Sequence, residues 1–203
     1  MEKTANWDTE VFLQEQTRQA LAAGASDAAI IDPGDIVVED RLARMCLEPR
    51  CPNYGLSPGC PPHVAGPEGL RQWLKACRHV LVVKIDVPAE IMMSFARREI
   101  YQLLHEIVAT AEQAAIEAGF TSSRGLAGGS CKNIFCHHKP DCRVLNKQGE
   151  CRNPHLARPS MSGFGINVAE LMAAAGWPFQ PLNGDKPPDG ESMGTACGIV
   201  LIA

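Results

Sequence analysis

The sequence predicts an α/β fold, in which a mixed β-sheet is flanked by helices and two cysteine-rich metal-binding loops lie outside the regular elements. Three observations carry this prediction. Residues 79–86, HVLVVKID, form a nearly continuous β-branched run, which is typical of a strand buried on both faces. Residues 97–118 repeat apolar side chains at three-and-four spacing, as in an amphipathic helix. A last apolar run, ACGIVLIA over 196–203, predicts a closing strand.

The N-terminal elements follow from local signals. A helix is predicted over 7–23 and is expected to end at Gly24, because glycine readily takes the left-handed conformation after a helix. Two short apolar runs follow, DAAIID at 27–32 and DIVVED at 35–40. They are separated by the turn signal Pro33-Gly34 and predict two strands or a hairpin.

Two further helices are marked by their first residues. Pro67 is favourable at the first position of a helix, which predicts a helix running to about Ala76. Asn167 and Glu170 have the spacing of a capping box, which predicts a helix over 168–175.

Composition limits the classes of function. The 203 residues suit a single α/β domain over 1–203, and 45% hydrophobic residues can form a core. The net charge of -4, the pI near 5.9 and the 5% aromatic content argue against a nucleic-acid or membrane partner. The first 25 residues lack the apolar centre of a signal peptide, and no later run has the length of a membrane helix. We therefore expect a cytoplasmic protein, where nine cysteines indicate metal binding or catalysis rather than disulfides.

The second cysteine loop, at about 131–160, follows the glycine-rich stretch SSRGLAGGS and contains four cysteines within 21 residues. Structural zinc holds its sulfurs roughly 3.8 Å apart, usually through pairs of cysteines separated by two to four residues. A [4Fe–4S] cubane spreads its thiolates wider and accepts irregular spacing. The gaps here are four, five and eight residues, which favours iron–sulfur over zinc. The four candidate ligands are Cys131, Cys136, Cys142 and Cys151.

The charges of this loop agree with an anionic centre. Residues 131–158 carry six Lys or Arg and two acidic residues, a net charge of +4. Neighbouring cations lower the pKa of a thiol, so this environment is expected to favour thiolates. It suits zinc and iron equally. His137 and His138 are alternative ligands, although both are more simply polar loop residues.

The first cysteine loop, at about 46–63, contains three cysteines among prolines and glycines: Cys46, Cys51 and Cys60. Their fourth ligand can be His63, Cys77 or no protein residue at all. In the last case one iron of a cubane stays open to a ligand, as catalytic zinc keeps an open position. Alternatively, the three cysteines pack as small apolar residues or lend ligands to the other loop. Cys77 and Cys197 lie in apolar segments and are interpreted as core cysteines.

A family resemblance rests on three stretches: CPNYG…CPPH, then GGSC…C…CRNPHLARPSMSGFGINV, then the terminal apolar strand. Over roughly residues 30–203 the chain resembles domain-of-unknown-function family number 2284. Its members are described as predicted metal-binding proteins and are common in anaerobic bacteria and archaea. The resemblance implies metal ligation, iron–sulfur or other, by the seven cysteines of the two loops, and it implies no reaction.

The ARPSM element adds two candidate cofactor-binding residues. Arg158 can donate two parallel hydrogen bonds to an anion, or it can pair with a carboxylate. Ser160 can donate to a cluster sulfur or cap a helix. Such donors tune the potential of a cluster.

These observations leave three hypotheses. The first is a protein with one [4Fe–4S] cluster that moves electrons for a redox partner protein. The second is a zinc-stabilised binding module without catalysis. The third is an enzyme in which an open three-cysteine cluster acts on a small-molecule substrate, by sulfur transfer or ligand activation, while the four-cysteine cluster supplies electrons.

Overall fold

The computed structural model describes residues 9–179, 181 and 192–203. The strands are β1 (Asp27–Ile31), β2 (His79–Pro88), β3 (Arg124–Ala127) and β4 (Met193–Ile202). The α-helices are α1 (Thr9–Ala22), α2 (Asp40–Arg44), α3 (Gly66–Ala76), α4 (Ala89–Met93), α5 (Arg97–Glu117), α6 (Cys131–Phe135) and α7 (Val168–Ala174). The four strands form one sheet in the order β1-β2-β4-β3.

The predicted α/β class is confirmed, and the sheet has more antiparallel character than expected. All three ladders are antiparallel, with β2 and β4 paired along ten residues at the centre. Among the described residues, parallel pairing is limited to an isolated bridge between Ala127 and Ser160. The mixed sheet is therefore corrected to antiparallel ladders with one parallel bridge. The bridge matters because it attaches the end of the second cysteine loop to the sheet.

Both faces of the sheet are covered, which explains the unbroken apolar run of β2. Leu81 and Val83 pack under α1 and α5 on one face. Val80 and Val82 pack against α3, α7 and a 3₁₀ turn over Met161–Phe164 on the other face. All four side chains are fully buried, each contributing roughly 1.5–3 kcal/mol of apolar burial. The strand predicted to be buried on both faces is confirmed.

The four predicted helices are confirmed over their described residues. The described part of the first helix is α1, and residues 7 and 8 of that prediction lie outside the described residues. The chain after α1 turns at Gly24 with φ of +110°. The side chain of Asn167 accepts hydrogen bonds from the backbone N–H groups of Ala169 and Glu170 and so caps α7. No helix in the described ranges combines the length and apolarity needed to cross a bilayer.

Two local predictions are corrected. The second apolar run, 35–40, does not form a strand. Residues 33–35 form a 3₁₀ turn, because the Asp32 carboxylate accepts a hydrogen bond from the backbone N–H of Gly34 at 2.7 Å. Only Val38 makes a bridge, to Ile166. Conversely, the glycine-rich stretch before the second loop contains β3, which pairs with β4 and brings that loop against the sheet.

Candidate metal centre

The geometry of the site begins with the close packing of α5 on the sheet. Val108 lies directly over two glycines, Gly125 on β3 and Gly198 on β4. A Cβ atom at these positions would lie 2.7 and 2.6 Å from the Val108 methyl groups. Because real Cβ contacts are longer, only glycine allows the helix this close to the strands. The N-terminal half of α5 is thereby placed over the end of β3, where the second cysteine loop begins.

His105 on the same face of α5 joins two segments that lead to the cysteines. Its Nδ1 accepts the backbone N–H of Arg158 at 3.1 Å, so its Nε2 carries the proton and donates to the carbonyl oxygen of Gly128 at 3.1 Å. The ring is fully buried and contacts Phe135 edge-on. Burial lowers the pKa of His105 to about 4, so the imidazole is neutral near pH 7.

Arg158 does not extend freely into the site. Its guanidinium forms an ion pair with Glu112 of α5, and both side chains are mostly buried. The other oxygen of Glu112 accepts the backbone N–H of Gly125 at 2.7 Å. Of the two roles expected for Arg158, the carboxylate pair is therefore present, with a buried rather than a surface partner. Arg158 still contributes to the wall of the cavity described next.

The four cysteines of the second loop surround one cavity of about 660 Å³, here called the four-thiol cavity. This is about twenty times the ~30 Å³ that one water molecule occupies in the liquid. The basic residues Lys132, Arg143 and Arg152 also contribute to the wall. The site-forming thiols are Cys131, Cys136, Cys142 and Cys151.

Hydrogen-bond donors in the wall of the four-thiol cavity are directed at cysteine sulfurs. The backbone N–H of Asn153 donates to Cys151 Sγ at 3.4 Å, and its side-chain amide donates to Cys136 Sγ at 3.6 Å. Ser57 lies beside Cys131, and its buried hydroxyl makes no well-formed hydrogen bond with the described residues. A hydroxyl in this position can donate to the thiolate of Cys131. The donor set therefore fits an anionic sulfur-rich centre.

The three cysteines of the first loop line a second cavity of about 550 Å³, here called the three-thiol cavity. No fourth Cys, His, Asp or Glu occurs among the described residues that line it. His63 is exposed and is not part of this wall. The Cys77 thiol instead donates to the carbonyl of His79 at 3.1 Å, at the start of β2. The described chain thus presents three thiols here: Cys46, Cys51 and Cys60.

The two cavities share a wall. At three places in the chain, one residue lines the four-thiol cavity and its direct neighbour lines the three-thiol cavity. These pairs are Gly59 with Cys60, Cys131 with Ser130, and Pro159 with Ser160. The first and third pairs are joined by the backbone N–H of Ser160, which donates to the carbonyl of Gly59 at 2.8 Å. Cys60 Sγ lies 3.2 Å from the hydroxyl of Ser130. The loops that are distant in sequence therefore meet in space.

Ser160 belongs to the three-thiol cavity rather than to the four-thiol cavity. The sequence placed it with the second loop, but its buried side chain lines the three-thiol cavity. It precedes the 3₁₀ turn at Met161 without a side-chain capping hydrogen bond. The bridge to Ala127 explains the change, because it directs the end of the second loop across the shared wall.

Burial raises the pKa of two of the thiols. It raises the pKa of Cys131 to about 11, with the charges of neighbouring thiols acting in the same direction. It also raises the pKa of Cys46. The expected lowering by the cations of the second loop is wrong at Cys131, because desolvation disfavours the thiolate more strongly. Metal binding must therefore displace protons that these thiols hold tightly.

The remaining cysteines and histidines are outside both cavities. All nine cysteines are free thiols. Cys197 is buried in the core, as predicted, whereas Cys77 is only partly buried and packs against the edge of that core. His137 and His138 are exposed and contact each other.

Sequence reasoning missed four positions: Ser57, His105, Ser130 and Asn153. Ser130 and Asn153 are each within two residues of a cysteine, which is a usable signal for donors to sulfur. His105 and Ser57 had no such signal, since their partners are distant in the chain.

Within the described residues, no three His, Cys, Asp or Glu side chains converge as ligands of a single metal ion. The thiols are arranged around cavities instead.

No curated protein and no solved structure matches the chain. Residues 29–202 match the family described as "Predicted metal-binding protein (DUF2284)". The match covers most of the chain, and the protein therefore belongs to this family of predicted metal-binding proteins.

Proposed function

We propose that the protein binds two [4Fe–4S] clusters, one in each thiol-lined cavity, and uses them in redox chemistry. The observation that carries the proposal is the grouping of seven thiols into sets of four and three around two cavities that share a wall. A set of four thiols satisfies all four irons of a cubane, and a set of three leaves one iron without a protein ligand.

The four-thiol cavity has the features of a centre that transfers electrons. Its lining combines four thiols with apolar and basic residues, and Asn153 donates to two of the sulfurs. Hydrogen bonds to sulfur and surrounding positive charge favour the more negative, reduced form of a cluster. When bound, such a cluster accepts and releases one electron at a time. The chain's part is to hold the thiolates, limit the access of water and set the potential.

The three-thiol cavity supports a substrate-binding role. With no fourth ligand in its described wall, a cluster held by Cys46, Cys51 and Cys60 has a coordination position for a small molecule. Ser160, Ser162 and Asn167 supply polar groups around that space. The partners of the protein are, in this proposal, a redox protein that exchanges electrons at the four-thiol side and a small-molecule substrate at the three-thiol side.

The test is a metal assay on protein prepared without oxygen, with iron, sulfide and zinc measured per chain and absorbance recorded near 400 nm. We expect iron and sulfide in equal amounts. Cys142→Ala and Cys51→Ala should each lose roughly half of the iron, because each variant removes one ligand from a different set. Cys77→Ala is the matched control and should keep the iron of the wild type.

Three results would decide against parts of the proposal. If Cys142→Ala loses iron and Cys51→Ala does not, the protein holds a single cluster, in the four-thiol cavity, and acts as an electron carrier. Colourless oxygen-free protein that holds zinc would favour the zinc-stabilised binding module. A folded protein without any metal would remove the proposal altogether.

A further inference from the structure

A third cavity, here called the arginine cavity, adjoins the three-thiol cavity and has a volume of about 270 Å³. It is formed by the start of α5, the start of α6 and the first cysteine loop. Asn53, Gly129 and Ser130 belong to the walls of both cavities. A molecule bound in the arginine cavity therefore lies next to the three-thiol centre, separated from Cys60 by the Ser130 hydroxyl.

The charge of the arginine cavity points to an anion. Arg97 and Arg98 both line it, and no Asp or Glu occurs among its described lining residues. Arg98 Nε is buried and has no hydrogen-bond partner in the described chain. Because this N–H has no partner in the described chain, the guanidinium is incompletely satisfied, and an anion that meets its terminal N–H groups in the cavity would stabilise it. Asn53 and Asn133 add amide donors.

The apolar half of the wall distinguishes an organic anion from an inorganic one. Met92, Phe95, Tyr101 and Ile134 also line the cavity. Phe95 is 91% exposed, so almost all of its ring is in contact with water in the absence of a ligand. An inorganic anion leaves this aromatic surface in water, whereas a ligand with an apolar body covers it.

The floor of the cavity is rigid. The Tyr101 ring packs on Gly128 and Gly129, where added Cβ atoms would lie 3.0 and 3.2 Å from ring carbons. Gly129 also has φ of +83°, which a larger residue rarely adopts. The backbone that leads to Ser130 is therefore held against the ring, and the cavity is formed before any ligand arrives.

We propose that the arginine cavity binds a small organic carboxylate with an apolar or aromatic body. The terminal N–H groups of Arg98 donate two parallel hydrogen bonds to the carboxylate, and Phe95 and Tyr101 cover the body. The anion site itself does not depend on the proposed function. The further idea, that this ligand is the substrate of the three-thiol centre, rests on it.

The experiment is calorimetric titration of the full-length, oxygen-free protein with benzoate, with its neutral counterpart benzamide and with inorganic phosphate. We expect saturable benzoate binding at one site per chain and at least tenfold weaker binding of benzamide and phosphate. Arg98→Gln should weaken benzoate binding at least tenfold, and Arg98→Lys should weaken it less. Arg78→Gln, which changes an exposed arginine outside the three cavities, should bind like the wild type.

Thermal unfolding and iron content of each variant show whether it is folded and loaded. Equal benzoate affinity in Arg98→Gln and wild type, or no benzoate binding to folded wild type, overturns the proposal. Phosphate binding as tight as benzoate overturns the organic part of it. Iron-free protein that still binds benzoate through Arg98 supports the anion site and removes the cluster function, so the two failures are distinguishable.

Discussion

Cys60 Sγ and Ser130 Oγ lie 3.2 Å apart, although 70 residues separate them in the chain. Ser130 is followed directly by Cys131, a thiol of the other cavity. This one contact therefore links the two thiol sets through a side-chain hydroxyl and a single peptide unit. In the proposed two-cluster function, a path this short suits the exchange of electrons between the two clusters.

The Ser130 hydroxyl is predicted to tune the centre that includes Cys60. With Cys60 deprotonated and metal-bound, the hydroxyl becomes a donor to its sulfur and stabilises the reduced, more negative state. Ser130→Ala should lower the reduction potential by about 40 mV, the equivalent of ~1 kcal/mol for one electron. Redox titration monitored by electron paramagnetic resonance measures this shift. Ser162→Ala, which lines the same cavity without a contact to a thiol, should leave the potential unchanged; an equal shift in both variants would contradict the prediction.

His105 should make the folded protein sensitive to mild acid. Its pKa is lowered from 6.5 to about 4 by burial, so between these values the unfolded chain binds a proton that the folded chain does not. The free energy of unfolding should therefore fall as the pH drops below 6.5, by roughly 2 kcal/mol at pH 5 and by about 3 kcal/mol once the pH reaches 4.

Urea unfolding at pH 7.5 and pH 5.0 tests this effect. His105→Gln keeps a donor and an acceptor but does not titrate, so its loss of stability between these pH values should be smaller than that of the wild type. His63→Gln changes an exposed histidine and should retain the wild-type loss. Identical losses in all three proteins would show that His105 is not the responsible group.

The close packing of α5 on the sheet is predicted to depend on Gly198. Gly198→Ala places a Cβ 2.6 Å from a Val108 methyl and should destabilise the fold by about 1–3 kcal/mol. Val108→Ala removes that methyl, so the double variant should be more stable than the sum of the two single effects predicts. Chemical denaturation of the four proteins gives the coupling energy. A coupling energy near zero would mean that the helix is not pressed against this strand.

The pair of Glu112 and Arg158 is predicted to hold the end of the second cysteine loop on α5. Glu112→Gln leaves a mostly buried guanidinium without its carboxylate and should cost roughly 3 kcal/mol of stability. Denaturation curves measure the loss, and iron content shows whether the four-thiol cavity is disturbed with it. Glu117→Gln alters an exposed glutamate one and a half turns further along α5 and should change stability by less than about 0.5 kcal/mol. Similar effects in both variants would contradict a special role for the pair.

Periodicity and cysteine spacing predicted a large part of this molecule. The strand over 79–86, the long helix now seen as α5 and the cap at Asn167 depend on neighbours within a few residues, and all are confirmed. The predicted strand over 35–40 failed because the side chain of Asp32 bonds its own backbone and diverts the chain into a turn. β3 was missed because glycine has a low propensity for strands. Gly125 is needed there for another reason, the close approach of Val108, which the sequence does not show.

By itself, the sequence determined the class of fold, the family and the seven candidate thiols, because these depend on residue type, local period and spacing along the chain. The tertiary structure decided that the two thiol sets share a wall, which side of that wall Ser160 faces, and that His105 and Glu112 anchor Arg158. The physical reason is distance along the chain. A contact such as that between Cys60 and Ser130 exists only after the sheet has brought two loops together, and no local pattern records it.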